Sequence, residues 1–207
     1  MNSNNNGCHL SDCDCQQRSN GKFNCTDPFR AIDASCIPPT PKEETVAYGS
    51  FYDSSENFVD VTPVTPPSLG QKVIFSTPGP LLGVTTAPVP NNTTDLQVAT
   101  SGVYEISMNI SALVNNVTSD PFPSSVRFGL FINDTILATE SNFESFNSMT
   151  NGDIDPAVTL FMMNTIGTTI QLRLNNDDRL SIRVISAEGQ GHVFYRFPSL
   201  VVNKIAD

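Results

Sequence analysis

From Val103 the chain alternates. Val103, Glu105, Ser107, Asn109 and Ser111 fall in one phase, and Tyr104, Ile106, Met108, Ile110 and Ala112 fill the other. A period of two with one apolar phase is the signature of a strand that lays one face on a core and turns the other away from it. A strand this long belongs at the centre of an antiparallel sandwich, so the other apolar runs must find places around it. Ser101 and Gly102, immediately before it, mark a turn.

The runs 45–52, 57–61, 71–76, 95–100, 125–132, 135–139, 157–163, 168–174, 179–185 and 192–205 also read as strands, and no stretch shows a helical period. The last run is either one strand or two broken at Pro198. Run 95–100 leads into the central strand as a hairpin, and a second hairpin closes around Asn133 and Asp134. Segment 77–90, rich in Pro and Gly, and segment 140–155, long and polar, read as loops. Short strands at this spacing define an all-β, antiparallel jelly-roll sandwich of about 8–10 strands.

The first 44 residues are a different material. All five cysteines (Cys8, Cys13, Cys15, Cys25 and Cys36) lie there, among Asn, Ser, Gln, Gly and Asp. So little apolar surface cannot offset the entropy of ordering, which predicts a flexible tail ending in a stiff Pro-rich linker over 37–44. The domain reading is therefore 1–44 for tail and linker and 45–207 for the sandwich. The odd cysteine count leaves one thiol for a partner chain after any full set of internal bridges, so covalent cross-linking is one reading of the tail. Reduced thiols in a disordered segment are another. A zinc site is the third, although Cys13 and Cys15 stand as C-x-C with only His9 nearby. Cys25 and Cys36 are spaced to close a small loop, but spacing does not fix connectivity.

The formal net charge of −10 opposes binding to nucleic acid and to anionic lipid. No apolar run approaches the ~20 residues of a membrane span, and the polar, Asn-rich start is not a secretory signal. Without a secretory signal, the sequons at Asn24, Asn91, Asn92, Asn109, Asn116 and Asn133 read as abundant Asn rather than glycan sites, and Asn109 also lies inside the central strand.

Gly102, Tyr104, Ile106 and Met108 stand in a pattern that resembles the G-x-Y-x-F-x-F strand of the C1q and tumour-necrosis-factor-like jelly rolls. Segments 130–134, 170–182 and 199–205 are similar to that family's polar hairpin, penultimate hairpin and closing strand. Segment 45–52 is similar to the A-Y-G-x-x-Y opening of the C-terminal domains of BclA-type exosporium proteins of Bacillus-group spores. Two departures stand out: Ile106 and Met108 replace aromatic residues, and a Cys-rich tail stands where the collagen-like repeats would be. The resemblance implies a homotrimer with one sheet of each subunit around a threefold axis. The aromatic residues Tyr48, Phe51, Tyr52, Phe194, Tyr195 and Phe197 are interface candidates, against the alternative of ordinary core packing.

No catalytic constellation is visible. There are two histidines, His9 and His192, and no nucleophile elbow, zinc-protease helix motif or phosphate-cradling loop. Asp153, Asp155, Asp177 and Asp178 sit in expected turns, where Asp bonds its own backbone. No enzyme activity, cofactor or metal is expected. What remains is a structural protein of the spore surface, made in the mother cell without a signal peptide. Its trimeric head would be displayed outward, and its tail would be disulfide-linked to coat, exosporium or surface-fibre proteins. The alternative is an adhesion module binding a carbohydrate or host protein through loops 77–93, 115–124 and 141–155.

Overall fold

The computed structural model describes residues 15–17, 23–25, 45–61, 70–87, 94–117, 124–147, 159–188 and 192–207. The chain divides into two units, Met1–Glu43 and Glu44–Asp207. In the first, β1 (Cys15–Gln17) and β2 (Phe23–Cys25) pair antiparallel, with Cys15 opposite Cys25. Cys8, Cys13, Cys36 and the rest of the expected tail and linker up to residue 44 lie outside the described residues.

Among its described residues the second unit holds twelve strands: β3 (Tyr48–Tyr52), β4 (Val59–Asp60), β5 (Thr77–Leu82), β6 (Val84–Thr86), β7 (Leu96–Val98), β8 (Gly102–Val117), β9 (Ser124–Ile132), β10 (Ile136–Leu137), β11 (Phe143–Asn147), β12 (Thr159–Leu174), β13 (Arg179–Glu188) and β14 (Val193–Ala206). They form two antiparallel sheets. One runs β10-β9-β13-β7-β6, with β11 also on β9; the other runs β12-β8-β14-β3-β5, with β4 also on β14. No helix among the described residues is long and apolar enough to cross a membrane.

β8 is central to the second sheet, paired along its whole length with β12 and over most of it with β14. Its apolar phase points at the first sheet: Tyr104, Ile106, Met108, Ile110 and Ala112 are all fully buried. They meet Phe128, Leu130, Leu180, Ile182, Leu200 and Val202 in one core. Phe51 stacks on Phe75 at 5.3 Å, and Phe128 lies between Phe143 at 5.7 Å and Tyr195 at 6.1 Å. Full burial of each such ring contributes about 1.5–3 kcal/mol.

The hairpin around Asn133 and Asp134 forms, and both residues take the left-handed conformation (φ 53° and 65°) that its tight turn demands. Other expectations fail for local reasons. Segment 71–76 is no regular strand, although Val73 and Phe75 are buried; its bonds to β13 run through Gly70, Gln71 and Val73, with one isolated bridge at Lys72. Segment 77–90 is not simply a loop. β5 and β6 lie in it, and Pro78 and Pro80 are tolerated because β5 is the sheet edge. β7 does not form a hairpin with β8, because the chain changes sheet between them. Segment 140–155 contains a 3-10 turn (Thr139–Ser141) and β11, whose Phe143 and Ser145 face inward. Residues 159–163 and run 168–174 belong to one strand, β12, which passes through Gly167. The last run is one strand carrying a bulge between Arg196 and Ser199.

Candidate functional site

The second sheet has a face turned away from the core, and strand register fixes its layout row by row. At one end, His192 is followed by Asn115 and Phe161 across β8 and β12. The next row holds Asp60, Phe194, Leu113 and Met163. Arg196, Ser111 and Thr165 follow, with Phe58 packed on Arg196. Beyond the bulge come Tyr52, Ser199, Asn109 and Gly167, then Ser50, Val201, Ser107 and Thr169. The far row is Leu82, Tyr48, Asn203, Glu105 and Gln171.

Chemistry divides this face into three zones. Large apolar side chains stand exposed at one end: Phe161 at 64%, Met163 at 50%, and Phe58 and Phe197 beside them. Tyr48, Tyr52 and Leu82 stand exposed toward the β3–β5 edge. The middle is a neutral hydroxyl ladder, in which Ser107 Oγ and Thr169 Oγ1 lie 2.9 Å apart and Ser111 Oγ and Thr165 Oγ1 lie 3.0 Å apart. The five strands of the main path hold only four charged residues, Glu105, Arg173, Arg196 and Lys204.

Arg196 is held rigidly. Its guanidinium carbon lies 4.8 Å from the ring centroids of both Phe58 and Phe197, and its Nη2 donates to Met163 Sδ at 3.3 Å. Nε is buried without a hydrogen-bond partner. Phe197 reaches its position because the bulge gives it a φ of +50°, an unusual conformation for a bulky residue. At the same end Phe194 packs edge-on to Phe58 at 6.2 Å and stacks with His192 at 5.9 Å.

The six aromatic interface candidates separate cleanly. Phe51 and Tyr195 are fully buried in the core of the chain itself and leave the candidate set. Tyr195 uses its hydroxyl to accept a bond from the Ile74 N–H at 3.1 Å, which fixes segment 71–75. Burial raises its phenol above the ordinary value of 10; the Ile74 bond opposes this, and the Asp53 charge adds to it. Tyr48, Tyr52 and Phe197 are exposed on the outward face, and Phe194 is half-buried there. Phe58, Phe161, Met163 and Arg196 escaped the sequence reading. For Phe161 and Met163 the signal was present in run 157–163, which is apolar in both phases although only one phase can face a core.

The family-signature residues each have a physical task. Tyr104 fills the core and donates to the Thr100 carbonyl at 2.7 Å. Ile106 and Met108 fill the same core. Gly102 has no room for a side chain, because a Cβ would collide with the Ala206 carbonyl and Lys204 Cε. Lys204 is itself nearly buried, with Nζ donating to Thr45 Oγ1 at 2.6 Å and to Asp207 Oδ1 at 2.5 Å.

A second polar cluster lies on the other sheet. Lys72 Nζ donates to both carboxylate oxygens of Asp95, at 2.8 and 2.7 Å, and lies 2.7 Å from Asp134 Oδ1. Arg183 donates to the same Asp134 oxygen at 2.7 Å. Burial alone would raise the Asp134 carboxyl; bonds from Lys72 and Arg183, and their charges, outweigh it and hold the group at about 2 against the ordinary 3.8. This is a structural clamp on segment 71–75 and the 133–135 turn. Asp177 and Asp178 sit in the β12–β13 turn, where Asp178 accepts from the Asn175 N–H at 2.8 Å; Asp153 and Asp155 lie outside the described residues. Among the described residues no group of three or more His, Cys, Asp or Glu is placed to hold a metal ion. Of the loops considered for recognition, 77–87 and 141–147 are largely sheet, and most of the remainder lies outside the described residues.

No protein-family model matches the chain, and no curated protein matches it. Solved structures do. A TNF from S. frugiperda, Eiger, is similar with a TM-score of 0.52 at 17% identity, over 79% of this chain and 94% of that one. The globular domain of zebrafish complement 1qA protein is similar with a TM-score of 0.43 at 14% identity, over 77% and 97% of the two chains. Murine APRIL is similar with a TM-score of 0.40 at 15% identity, over 77% and 99%. At these identities the likeness is one of fold: the chain carries a C1q/TNF-like jelly roll.

Proposed function

We propose that this chain is a non-catalytic structural module that assembles as a homotrimer through the outward face of the β12-β8-β14-β3-β5 sheet. The observation that carries the reading is the exposure of Phe161, Met163, Phe197, Tyr48 and Tyr52 on one face of low charge. Large exposed apolar side chains at both ends of one face mark an interface, and a middle of hydroxyls whose one charge is Arg196 lowers the cost of covering it. The test is the solution mass of the protein, with Met163→Glu and Phe161→Glu as disrupting variants. A trimer that dissociates on either substitution while keeping its β-sheet spectrum supports the reading, and a monomeric wild type ends it.

The finer reading places the module on the surface of bacterial spores, in the exosporium or a surface fibre. It is made in the mother cell and tethered through its cysteines to coat, exosporium or fibre proteins. Support comes from the sequence: the opening segment 45–52, the order of the later motifs, and five cysteines gathered before residue 37. The thiols would oxidise to disulfides with molecular oxygen as acceptor after the mother cell lyses. Antibody labelling of intact spores, with and without reductant, tests it. Label that is absent from spores refutes the location. Label that survives both reductant and replacement of all five cysteines by Ser refutes the tether.

A further inference from the structure

Among the described residues Arg196 is a fixed cation without an anion. The described ion pairs are made by Lys72, Arg127, Arg183 and Lys204, and no described carboxylate pairs with Arg196. Among the described residues its only hydrogen-bond acceptor is the weakly accepting sulfur of Met163. Two rings hold the guanidinium plane, and one of them is placed by a backbone conformation that a Phe does not adopt unforced. In the same row stand Ser111 and Thr165, whose hydroxyls bond each other. Two hydroxyls joined by one hydrogen bond keep one O–H free to donate elsewhere. A guanidinium fork beside a free hydroxyl donor suits a carboxylate, sulfate or phosphate group, and the one described acid of the neighbouring row, Asp60, makes no ion pair with it.

We infer that Arg196, with Ser111 and Thr165, forms a binding site for a small free oxyanion on the outward face of the sheet. The choice of a free anion over a neighbouring subunit's carboxylate rests on the trimer reading. Around an axis along the strands, the row of Arg196 meets the same row of the next copy, and that row holds Phe58, Arg196, Ser111 and Thr165 but no acid. Three guanidinium groups then stand at one height, each without an acid in its row of the next copy. The site itself exists on each chain, whatever the assembly.

The experiment is calorimetric titration of the purified protein with sodium sulfate, and separately with sodium phosphate, at ionic strength held constant with chloride. Solution mass is measured on the same samples. The wild type should bind saturably, and Arg196→Met should weaken binding at least tenfold. Arg196→Lys, which keeps the charge and loses the fork, should fall between them. Ser111→Ala with Thr165→Val should weaken it several-fold. No saturable binding, or equal binding by wild type and Arg196→Met, means an adventitious ion only and overturns the site. If Arg196→Met fails to fold, the Lys and the double hydroxyl variants decide by the same rule. A trimer that binds no oxyanion removes the site and leaves the assembly; a monomer that binds one removes the assembly and leaves the site.

Discussion

Lys72→Met isolates a buried carboxylate. The Asp95 side chain is 2% exposed, and both of its oxygens accept from Lys72 Nζ, at 2.8 and 2.7 Å. Methionine keeps most of the lysine stem, so packing changes little while the cation disappears. Asp134 keeps Arg183, but Asp95 keeps no cation among the described residues. Removing one partner of a buried pair costs about 3–5 kcal/mol when the remaining charge is sealed from water. Lys72 is 23% exposed, so some water reaches the pair, and the low end, about 3 kcal/mol, is the expected value. For a domain of this size that is a fall in Tm of about 6–12 °C.

The assay is urea unfolding followed by circular dichroism at one fixed protein concentration, which holds any assembly term constant. A cycle with Asp95→Asn separates the pair from its surroundings. Asp95→Asn alone should cost less than Lys72→Met, because Lys72 keeps Asp134. The double variant should be clearly more stable than the sum of the singles predicts. A Lys72→Met protein within about 0.5 kcal/mol of wild type, which is the size of an ordinary surface change, would refute the claim that this ion pair clamps segment 71–75.

Three further outcomes follow from the same geometry. Asp134 is depressed to about 2 in the folded protein, so its contribution is present above the ordinary 3.8 and is lost as pH falls toward about 2; acid unfolding should show that slope, and Asp134→Asn should flatten it. Gly102→Ala forces a Cβ onto the Ala206 carbonyl and the Lys204 stem, and should cost about 1–3 kcal/mol in a thermal melt and speed hydrogen exchange at the end of β14. Tyr195→Phe leaves the Ile74 N–H without its acceptor, and should cost about 1 kcal/mol with little change in solution mass, because Tyr195 belongs to the core.

What could be read in the sequence was whatever follows from a period of two. The buried phase of β8 is the apolar phase of its sequence, residue for residue from Tyr104 to Ala112. Strand pairing was less legible. β7 and β8 are adjacent in the chain, and two strands with a turn between them look alike whether the chain folds back within a sheet or steps to the opposite one. β5 was hidden by its prolines, which bar a central position but not an edge. β11 was hidden because Phe143 and Phe146 are spaced by three, while its buried phase is filled out by Ser145 and Asn147. At the site, parity alone could not tell Tyr195 from Phe197. The bulge shifts the phase between them, and bulges leave no simple mark in composition.

The outward phase of the sheet is where the sequence carried more than it first showed. A solvent-facing strand in an acidic protein should spend its polar phase on Asp and Glu. β8 and β12 together span 32 residues, and their charged side chains are Glu105 and Arg173 alone. Serine, threonine and asparagine occupy the remaining polar positions of the middle rows, and several already bond one another across the strands. A hydroxyl ladder satisfied in this way loses little when water is removed, whereas a carboxylate or ammonium in its place would have to be paired or neutralised. β12 is moreover a sheet edge without a proline in its length, while the opposite edge, β5, carries two. An edge with a single charge, Arg173, and no proline invites association unless something covers it. Both peculiarities meet on the strand that also exposes Phe161 and Met163. In the proposed trimer one partner surface accounts for all three. In a monomer each would need its own explanation, and the exposed apolar end would remain a liability for aggregation.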